Sequence, residues 1–441
     1  MMALTGIAKA ARSFVKEEEG ASTVLGLFFT LTTLTIGGLA VDIAHGYMAR
    51  TELQNATDAA AHAALMTRES QDADDARLVA VDLVKSQMAM NRMPGAITAD
   101  DIRFGYWDSV SQAFQIDDNS RQGVMVVGNR LEERGNSIST HLLKFAGIDT
   151  LDVRTATVFL ADVPPCLTEG FVAVQRVDMQ SGNSFTGEFC VHSNDHVSLN
   201  NGNYFEEGTT VSMPSLEMLD IPNSGFEKND GLEEALREGY YNIRILNHVE
   251  TIIADLAQYG SDEMPDYIDR AASVTLNNFK NLTETDFTSG SIHLAECTGN
   301  QTLSVKSNTV LDSIVLVTNC KVSLGQGVVL QDTVIATTNE DAKSITGASE
   351  VAIGADDNCA TGGGAQLISL GGMEFPSKMA MFGGQILALG DVTFAAQANG
   401  IMGASIITAG EIDGTSETAM GHCAGSGMED NFEKPQFRMA I

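Results

Sequence analysis

Two groups of side chains in this sequence have types and spacing that could do chemistry, and the first is a pair of adjacent carboxylates. Asp356 and Asp357 lie in a region of short repeated β-strands, and glycoside hydrolysis needs two positioned carboxylates. Polygalacturonase-like enzymes also carry Gly-His-Gly and Arg-x-Lys patterns, which this sequence lacks. We therefore interpret the pair as part of a solvated turn.

The second group is the sequence HSNDH, which contains His192, Asp195 and His196. Imidazoles four residues apart on a strand share a face and could bind a metal ion. No third ligand stands nearby in the sequence, and Asn and Asp are common turn residues, so a structural role is favoured. His422 is adjacent to Cys423, which we expect in a disulfide. The sequence also lacks a phosphate-binding loop and a Ser-His-Asp or Cys-His spacing, so we predict no catalytic residue, no metal site and no cofactor.

Six cysteines lie beyond the first third of the chain, and no two form a C-x-x-C pair. This spacing excludes zinc-ribbon and thioredoxin-like motifs. In an exported protein the even number indicates three disulfides, and pairing between neighbours is preferred among the possible connectivities. The preferred pairs are Cys166 with Cys190, Cys297 with Cys320, and Cys359 with Cys423. Buried reduced thiols are the alternative.

The charge of the chain restricts its partners. Its 441 residues include 26 Lys and Arg against 58 Asp and Glu, a formal charge of −32. Such a surface repels polyanions, so nucleic acid is excluded as a partner. The length and the 44% content of hydrophobic residues allow two or three domains.

An apolar stretch near the N-terminus, residues 20–41, carries no charged side chain. At about 1.5 Å per helical residue it spans a hydrocarbon core of about 30 Å. Three basic residues precede this stretch and only Arg50 follows it closely, which predicts a cytoplasmic N-terminus and an exported remainder. A cleaved secretory signal is the alternative, but the helical spacing continues without a break.

The residues around and after this stretch resemble a known family. The sequence reads EEEGAS before the apolar run, then GLAVD, a Tyr-x-x-Arg-Thr-x-Leu-Gln spacing from Tyr47, and ATDAAAHAA. Over residues 17–68 these features closely resemble the TadE/TadG-like proteins of the Flp (Tad) pilus assembly system. The resemblance implies a single-pass inner-membrane protein with a pilin-like exported stem helix, and other pilus-assembly proteins as its partners.

One departure from the family pattern concerns processing. Members that are cut by prepilin peptidase carry a glutamate five residues into the mature chain, and a cut after Gly20 would place Leu25 there. The sequence therefore looks more similar to an unprocessed TadG-type anchor. The resemblance implies helix packing as the role of the motif residues, which are Gly37, Gly38, Asp42, Tyr47, Arg50, Leu53, Gln54 and Asp58. Asp42 is interpreted as an interfacial residue that water and headgroups reach, in preference to a charge partner for another subunit.

A weaker similarity to the exported head of that family continues to about residue 161. We expect a helix over residues 72–91, a strand pair around IRFGYWDSVSQAFQI and a strand at GVMVV. A helix at SISTHLLKFAGI and a last strand at LDVRTATVFLADV follow.

From about residue 290 the sequence repeats short apolar strands. Copies start at Ser313 and Thr333, and again at Gln366, Gln385 and Ser405, each 19 or 20 residues from its neighbour. A fixed period of this length predicts a parallel β-helix, and the absence of strict hexapeptide repeats favours the right-handed form. An irregular β-sandwich is the alternative. Residues 185–215 have the same composition, and the segment between these two regions has the spacing of helices.

The predicted fold class is α+β multidomain, with a transmembrane pilin-like helix and a small α+β head, then a parallel β-helix with a helical insertion. The expected boundaries are a cytoplasmic segment (1–20), the transmembrane and stem helix (21–68), an α+β exported domain (69–163), first β-helix coils (164–228), the helical insertion (229–289), the remaining β-helix (290–425) and a C-terminal tail (426–441).

The predicted function is that of a membrane-anchored structural protein in Flp pilus assembly, anchoring or surface adhesion. The bulk of the chain would be periplasmic or extracellular, with a surface glycan or substratum as a further partner. One alternative is a membrane-tethered carbohydrate-active β-helix enzyme, a hydrolase or lyase. The other is a secreted β-helix adhesin unrelated to pili.

Overall fold

The computed structural model describes residues 19–87, 94–108, 110–414 and 416–440. These residues form two compact units. The first comprises the described residues up to Asp162 together with those from Phe437 onward, and the second is Val163–Gln436. The expected cytoplasmic segment, residues 1–20, lies almost wholly outside the described residues.

The first unit begins with one long helix, α1 (Glu19–Arg68), of 50 residues. Its apolar part contains threonines whose hydroxyls donate to the carbonyl four residues earlier, as Thr30 does to Gly26 at 2.8 Å, so these polar groups are satisfied within the helix. The apolar window has a mean hydropathy of 2.0, and only 6% of it is buried in the protein. A core helix would be mostly covered, so α1 is consistent with a single-pass membrane anchor. The prediction of one unbroken helix is confirmed.

The C-terminal half of α1 packs with a second helix, α2 (Ala73–Gln87), on a small antiparallel sheet. The strands of the unit are β1 (Ile102–Asp108), β2 (Ala113–Ile116), β3 (Gly123–Arg130), β4 (Ile138–Ser139), β5 (Thr150–Leu151), β6 (Val153–Asp162) and β29 (Gln436–Met439). The sheet order is β2-β1-β3-β6-β29, and β4 and β5 form a separate pair. Alanines of α1 lie against Phe104, Val124 and Val126, because small side chains let the helix approach the sheet closely.

Most expected elements of the head are present, with two differences. The segment SISTHLLKFAGI, expected as a helix, forms β4 and a single 3₁₀ turn, Leu143–Ala146. The turn ends at Gly147, which adopts φ 82°, and the β4–β5 pairing leaves no room for a longer helix. The expected C-terminal tail contributes β29 to the sheet, where the Ala440 amide donates to the Val158 carbonyl at 2.8 Å.

The second unit is built on one large sheet of 22 strands. Its strands are β7 (Gly170–Ala173), β8 (Val177–Met179), β9 (Ser184–Phe185), β10 (Cys190–Ser193), β11 (Val197–Leu199), β12 (Tyr204–Phe205), β13 (Thr210–Met213), β14 (Leu219–Asp220), β15 (Leu236–Glu238), β16 (Val274–Thr275), β17 (Ser291–Ala295), β18 (Thr302–Val305), β19 (Val310–Thr318), β20 (Lys321–Leu324), β21 (Val329–Thr337), β22 (Ile345–Gly347), β23 (Ala352–Ile353), β24 (Ala365–Ser369), β25 (Met373–Ala388), β26 (Val392–Thr408), β27 (Ile412–Asp413) and β28 (Ala419–Gly421).

The strands of this sheet pair in parallel with the strands one repeat before and after them. Val191 of β10, for example, lies opposite Phe171 of β7 on one side and Val211 of β13 on the other. The residues that point inward form a continuous apolar core. The sequence period therefore correctly predicted a large parallel sheet.

The spatial order of the strands differs from their order in the sequence. β7 pairs with β10 on one side and with β26, from near the end of the chain, on the other. From β7 the chain passes through β10 and β13 to β15. Residues 239–273 then lead to β16, from which β17, β19, β21, β24 and β25 return to β26. The strands expected as the first coils thus lie beside the last ones.

The segment expected as a helical insertion, residues 229–289, has only short helices. The helices of the second unit are α3 (Pro165–Thr168), α4 (Gly225–Lys228), α5 (Leu232–Ala235) and α6 (Val249–Asp255), with 3₁₀ turns at Leu216–Met218, Arg244–His248 and Glu284–Asp286. Apolar residues of this segment, including Ile245 and Ile252, pack on outward-facing sheet residues such as Val172 and Ile407. The apolar spacing of three and four therefore serves to cover a sheet, with no long helix.

Two devices connect neighbouring repeats. In the turns, side-chain carbonyls of asparagine accept backbone amides of the preceding repeat: Asn203 Oδ1 accepts from Asn183 at 2.9 Å, and Asn229 Oδ1 accepts from Asn203 at 2.8 Å. All six cysteines are in disulfides, and the pairs are the expected ones, Cys166–Cys190, Cys297–Cys320 and Cys359–Cys423.

Candidate functional site

The part of α1 that follows the apolar stretch has a face that packs on the chain's own sheet. Leu53 is fully buried, and Gln54 Nε2 donates to Thr157 Oγ1 at 2.8 Å. Asp58 Oδ1 accepts from Gln54 Nε2 at 2.7 Å and from the Thr157 hydroxyl. Three of the predicted packing residues therefore hold the helix to its own head.

Gly38 and Asp42 also lie on this inner face, where they contact the 3₁₀ turn after β4. A Cβ at Gly38 would come within 2.8 Å of Leu142 Cδ1, so only glycine allows this approach. The Asp42 carboxylate accepts backbone amides from His141 at 2.6 Å, Leu142 at 2.8 Å and Leu143 at 2.6 Å. Asp42 is 1% exposed, so the interpretation of a residue open to water and headgroups is corrected.

The remaining motif residues lie on parts of α1 that the head leaves uncovered. Tyr47 is 68% exposed, Arg50 is exposed, and a Cβ built on Gly37 would meet no atom within 4 Å. These three residues, together with Met48 at 65% exposure, are free of their own head and form the surface that another helix could contact.

The candidate chemical groups are not assembled into a reaction centre. Asp356 and Asp357 are exposed, and Asp357 Oδ1 accepts the Ala360 amide at 3.0 Å, as in an ordinary turn. His196 lies at the surface against Asp195, with Nδ1 3.0 Å from Oδ2. Nowhere in the described residues do three or more His, Cys, Asp or Glu side chains come together in a way that could hold a metal ion.

His192 belongs to a buried network that the sequence did not predict. Its Nδ1 lies 2.7 Å from Ser212 Oγ and its Nε2 lies 3.0 Å from Asn194 Oδ1. Asn194 Oδ1 also accepts the Tyr241 amide, so Nε2 of His192 carries the proton and Nδ1 accepts from Ser212. Burial lowers the pKa of His192, which keeps the ring neutral.

This Ser–His–Asn arrangement is enclosed by the protein. Ser212 is 2% exposed and His192 is fully buried, with the Tyr241 ring stacked on the imidazole at 4.0 Å between centroids. A substrate carbonyl cannot reach the hydroxyl of Ser212. The network instead ties the chain after β15 to the repeats that carry β10 and β13.

His422 likewise takes part in contacts that join two segments distant in the chain. Its Nε2 lies 2.8 Å from Oε2 of Glu169, a carboxylate that is 1% exposed and also accepts the amides of Cys423 at 2.7 Å and Gly425 at 3.2 Å. Since these contacts occupy both carboxylate oxygens, Glu169 fixes the segment after β28 beside the start of β7.

One outward face of the large sheet carries an uninterrupted column of hydroxyls and carboxylates, which we call the polar column. Its members lie in register on nine successive strands and none is buried: Ser304, Ser323, Thr346, Glu374, Thr393, Asp413, Asp178, Ser198 and Asp220. At about 4.8 Å per strand the column is roughly 38 Å long. The sequence does not reveal the column, because it continues from β27 to β8, which are far apart in the chain.

The carboxylates of the polar column influence each other. Partial burial raises the pKa of Asp178, the nearby Arg176 guanidinium opposes this, and the charges of Asp413 and Asp220 add to the rise. Arg176 also lies 2.9 Å from Glu411 at the edge of the column. The column can therefore act as an extended acidic surface with interspersed hydroxyls.

The fold defines a protein with a long apolar N-terminal helix, a small α+β head and a large stack of parallel strands. The chain belongs to the family of the domain of unknown function DUF7867, which matches residues 170–424, more than half of its length. The Flp pilus-assembly TadE/G-like family matches residues 20–75, which confirms the resemblance of the N-terminal segment and supports a role in Flp pilus assembly. No curated protein and no solved structure matches the chain.

Proposed function

We propose that this protein is a TadG-type structural component of a Flp pilus assembly system that anchors the assembly to the inner membrane. The observation that carries the proposal is the TadE/G-like match over residues 20–75, which overlaps α1 and its exposed face at Tyr47 and Arg50, beyond the part that the head covers. Other pilus-assembly proteins are the partners of this face. The excess of basic residues before the apolar stretch favours a cytoplasmic N-terminus and a periplasmic or extracellular remainder.

In this proposal the second unit is a right-handed parallel β-helix that the anchor displays outside the cytoplasm. Parallel pairing at a constant repeat and the asparagine contacts between turns support the β-helix. Three disulfides suit an oxidising compartment.

The role of the second unit is structural and adhesive, with no enzymatic activity. The polar column is the surface that would meet a glycan or substratum, because hydroxyls and carboxylates spaced along one face suit hydrogen bonding to an extended polar partner. The exposure of Asp356 and Asp357 favours this role over glycan cleavage.

The test is site-specific crosslinking of the full-length protein in membranes. A photoreactive phenylalanine analogue replaces Tyr47, which is 68% exposed, or Tyr240 of the second unit, which is 70% exposed. We expect crosslinks to Flp assembly components from position 47 and none from the equally exposed control. Equal yields at both positions, or none at position 47, would contradict the proposal.

A second measurement addresses the placement of the chain. N-terminal sequencing of the protein from the membrane fraction is expected to find the residues before α1 intact. A mature N-terminus after the apolar stretch would instead identify a secreted protein without an anchor.

A further inference from the structure

A short apolar loop in the first unit lies beside the apolar part of α1. We define the apolar loop as residues 141–148, which contain the 3₁₀ turn Leu143–Ala146. Leu142 is 43% exposed, Phe145 is 82% exposed and Ile148 is 45% exposed. Three large apolar side chains on eight residues are thus uncovered by the first unit itself, which is unusual for a loop in water.

The position of the loop along α1 indicates how deep the loop would lie in a bilayer that α1 crosses. Leu142 packs on Gly38, and a cleft of about 470 Å³ separates Leu142, Phe145 and Ala146 from Leu31, Leu34 and Leu39 of the helix. Leu34 precedes Asp42 by eight residues, so Phe145 reaches about 12 Å along the apolar stretch at about 1.5 Å per residue. The loop therefore lies alongside residues that must themselves be in hydrocarbon if α1 crosses a bilayer.

Several backbone amides of the loop are hydrogen-bonded within the protein, which suits an apolar environment. The buried Asp42 carboxylate accepts the amides of His141, Leu142 and Leu143. Within the loop, the Phe145 amide donates to the Leu142 carbonyl at 3.1 Å and the Ile148 amide donates to the Leu143 carbonyl at 3.1 Å. Irregular backbone at membrane depth is tolerated only when its polar groups are satisfied internally, and the loop meets this requirement at these positions.

The charge of the loop agrees with a lipid partner. Lys144 is the only side chain of the loop with a permanent charge, and its ammonium lies 5.7 Å from the centroid of the Phe145 ring. A long lysine beside apolar residues can extend its charge toward lipid phosphates while its stem stays in the apolar layer. A basic residue is notable here because the chain as a whole carries a charge of −32.

We propose that the apolar loop inserts into the bilayer leaflet that surrounds the part of α1 nearest the head, and that acyl chains occupy the cleft between loop and helix. The anchor thereby has two membrane contacts, a spanning helix and an inserted turn, with Asp42 as the residue that positions the turn. This proposal rests on the proposed function only in that α1 must span the membrane.

The test uses tryptophan fluorescence of the full chain in vesicles of phosphatidylcholine brominated on the acyl chains. Trp107, the only tryptophan of the chain, is first replaced by phenylalanine (Trp107→Phe). In this background, Phe145→Trp places the fluorescent probe in the loop. The matched control is Val110→Trp, a 93% exposed apolar residue at the tip of the β1–β2 hairpin. This tip is remote from the apolar part of α1. Gly105, on the side of β1 nearer the tip, pairs with Gly123 at the start of β3. Gly128, toward the other end of β3, lies beside Leu53 of α1.

We expect brominated lipid to quench the Phe145→Trp probe about twofold or more, with little effect on the Val110→Trp probe, because only an inserted side chain contacts acyl bromines. If both proteins float with the vesicles and the two probes are quenched equally or not at all, the loop does not insert and this proposal alone fails. A blue-shifted Phe145→Trp emission without quenching would mean that protein covers the loop, which also overturns it. If neither protein floats with vesicles, α1 is not an anchor and the proposed function fails as well.

Discussion

Phe171 on β7 and Ile406 on β26 lie directly opposite each other on adjacent parallel strands, although one is near the start and the other near the end of the second unit. The Phe171 ring packs against Phe189 of the next repeat at 5.0 Å and against Phe394 at 5.4 Å between centroids. The first and last parts of the unit are thus joined in the middle of the stack by these apolar contacts and by three pairs of parallel strands, β26–β7, β27–β8 and β28–β9. We therefore expect the stability of the second unit to depend on this junction.

Phe171→Ala is expected to lower the free energy of unfolding by about 3–5 kcal/mol, because it leaves a cavity between rings from both parts of the stack. The measurement is chemical denaturation of the detergent-solubilised full chain. Phe226→Ala is the control, since Phe226 is 47% exposed, and it is expected to change the stability by about 0.5 kcal/mol or less. Equal losses from both variants would show that the junction is not a special element.

Asn203→Ala removes the side-chain oxygen that accepts the Asn183 amide. We expect a loss of about 1–3 kcal/mol in the free energy of unfolding, because a buried amide then has no acceptor. Asn200→Ala in the same turn removes only an exposed contact with Gln180 and is expected to be nearly neutral. Neutral behaviour of both variants would argue against the contribution of the asparagine contacts.

The stability of the second unit is expected to fall when the pH drops below about 6.5. Burial lowers the pKa of both His192 and His293 in the folded chain, so the unfolded chain binds more protons between those lowered values and about 6.5. The stability that the two neutral histidines contribute is complete above about pH 6.5 and is lost as the pH decreases. Thermal unfolding at pH 7.5 and pH 5 measures it. His192→Gln should reduce the difference in stability between the two pH values.

Arg134→Ala in the head is expected to cost about 2–3 kcal/mol. Arg134 donates to both oxygens of Asp101, at 2.7 and 2.8 Å, and Asp101 is 7% exposed. Burial raises the pKa of Asp101, but the hydrogen bonds from Arg134 and Thr98 outweigh it and hold the pKa below its usual value. The matched control is Arg154→Ala, which breaks an exposed pair with Glu133 and should cost about 1 kcal/mol or less. A larger loss of stability for Arg154→Ala than for Arg134→Ala in denaturation curves would contradict this prediction.

The disulfides should differ in their contribution. Cys359–Cys423 closes a sequence separation of 64 residues and Cys297–Cys320 one of 23. Replacing the first pair by serines is expected to destabilise the chain by about 1 kcal/mol more than replacing the second, because a longer loop gains more entropy when it opens. Denaturation midpoints of the two double variants give the comparison.

Much of this fold follows from local sequence. The charge-free stretch and the alanines after it gave one continuous helix, because helical periodicity depends on residues three and four apart. The neighbouring cysteines paired as expected: Cys166 and Cys190 are 24 residues apart and Cys297 and Cys320 are 23 apart, each close to the length of one repeat. The recurrence of short apolar strands correctly indicated parallel pairing.

The candidate interaction residues were only partly predictable. The motif identified the helix, but it did not distinguish Tyr47, which is open, from Asp58, which binds the chain's own sheet. The two residues are about three helical turns apart and so lie on nearly the same side of α1. The distinction therefore depends on how far along the helix the head extends, and no local pattern encodes it. The expected short helix after β4 is absent for a related reason, because Gly147 and the β4–β5 pair limit it to one turn.

The sequence by itself determined the long N-terminal helix and the strand period, because each depends on residues within one helical turn or one repeat. For the cysteines it indicated only a preferred pairing, since Cys359 and Cys423 are 64 residues apart in the chain. Only the tertiary structure decided that β26 pairs with β7, that the polar column runs unbroken across this junction, and that Asp42 holds an apolar loop against the apolar part of α1. The physical reason is that these features come from register and packing between distant segments. Their free energy depends on the whole assembled core, so no short stretch of residues contains it.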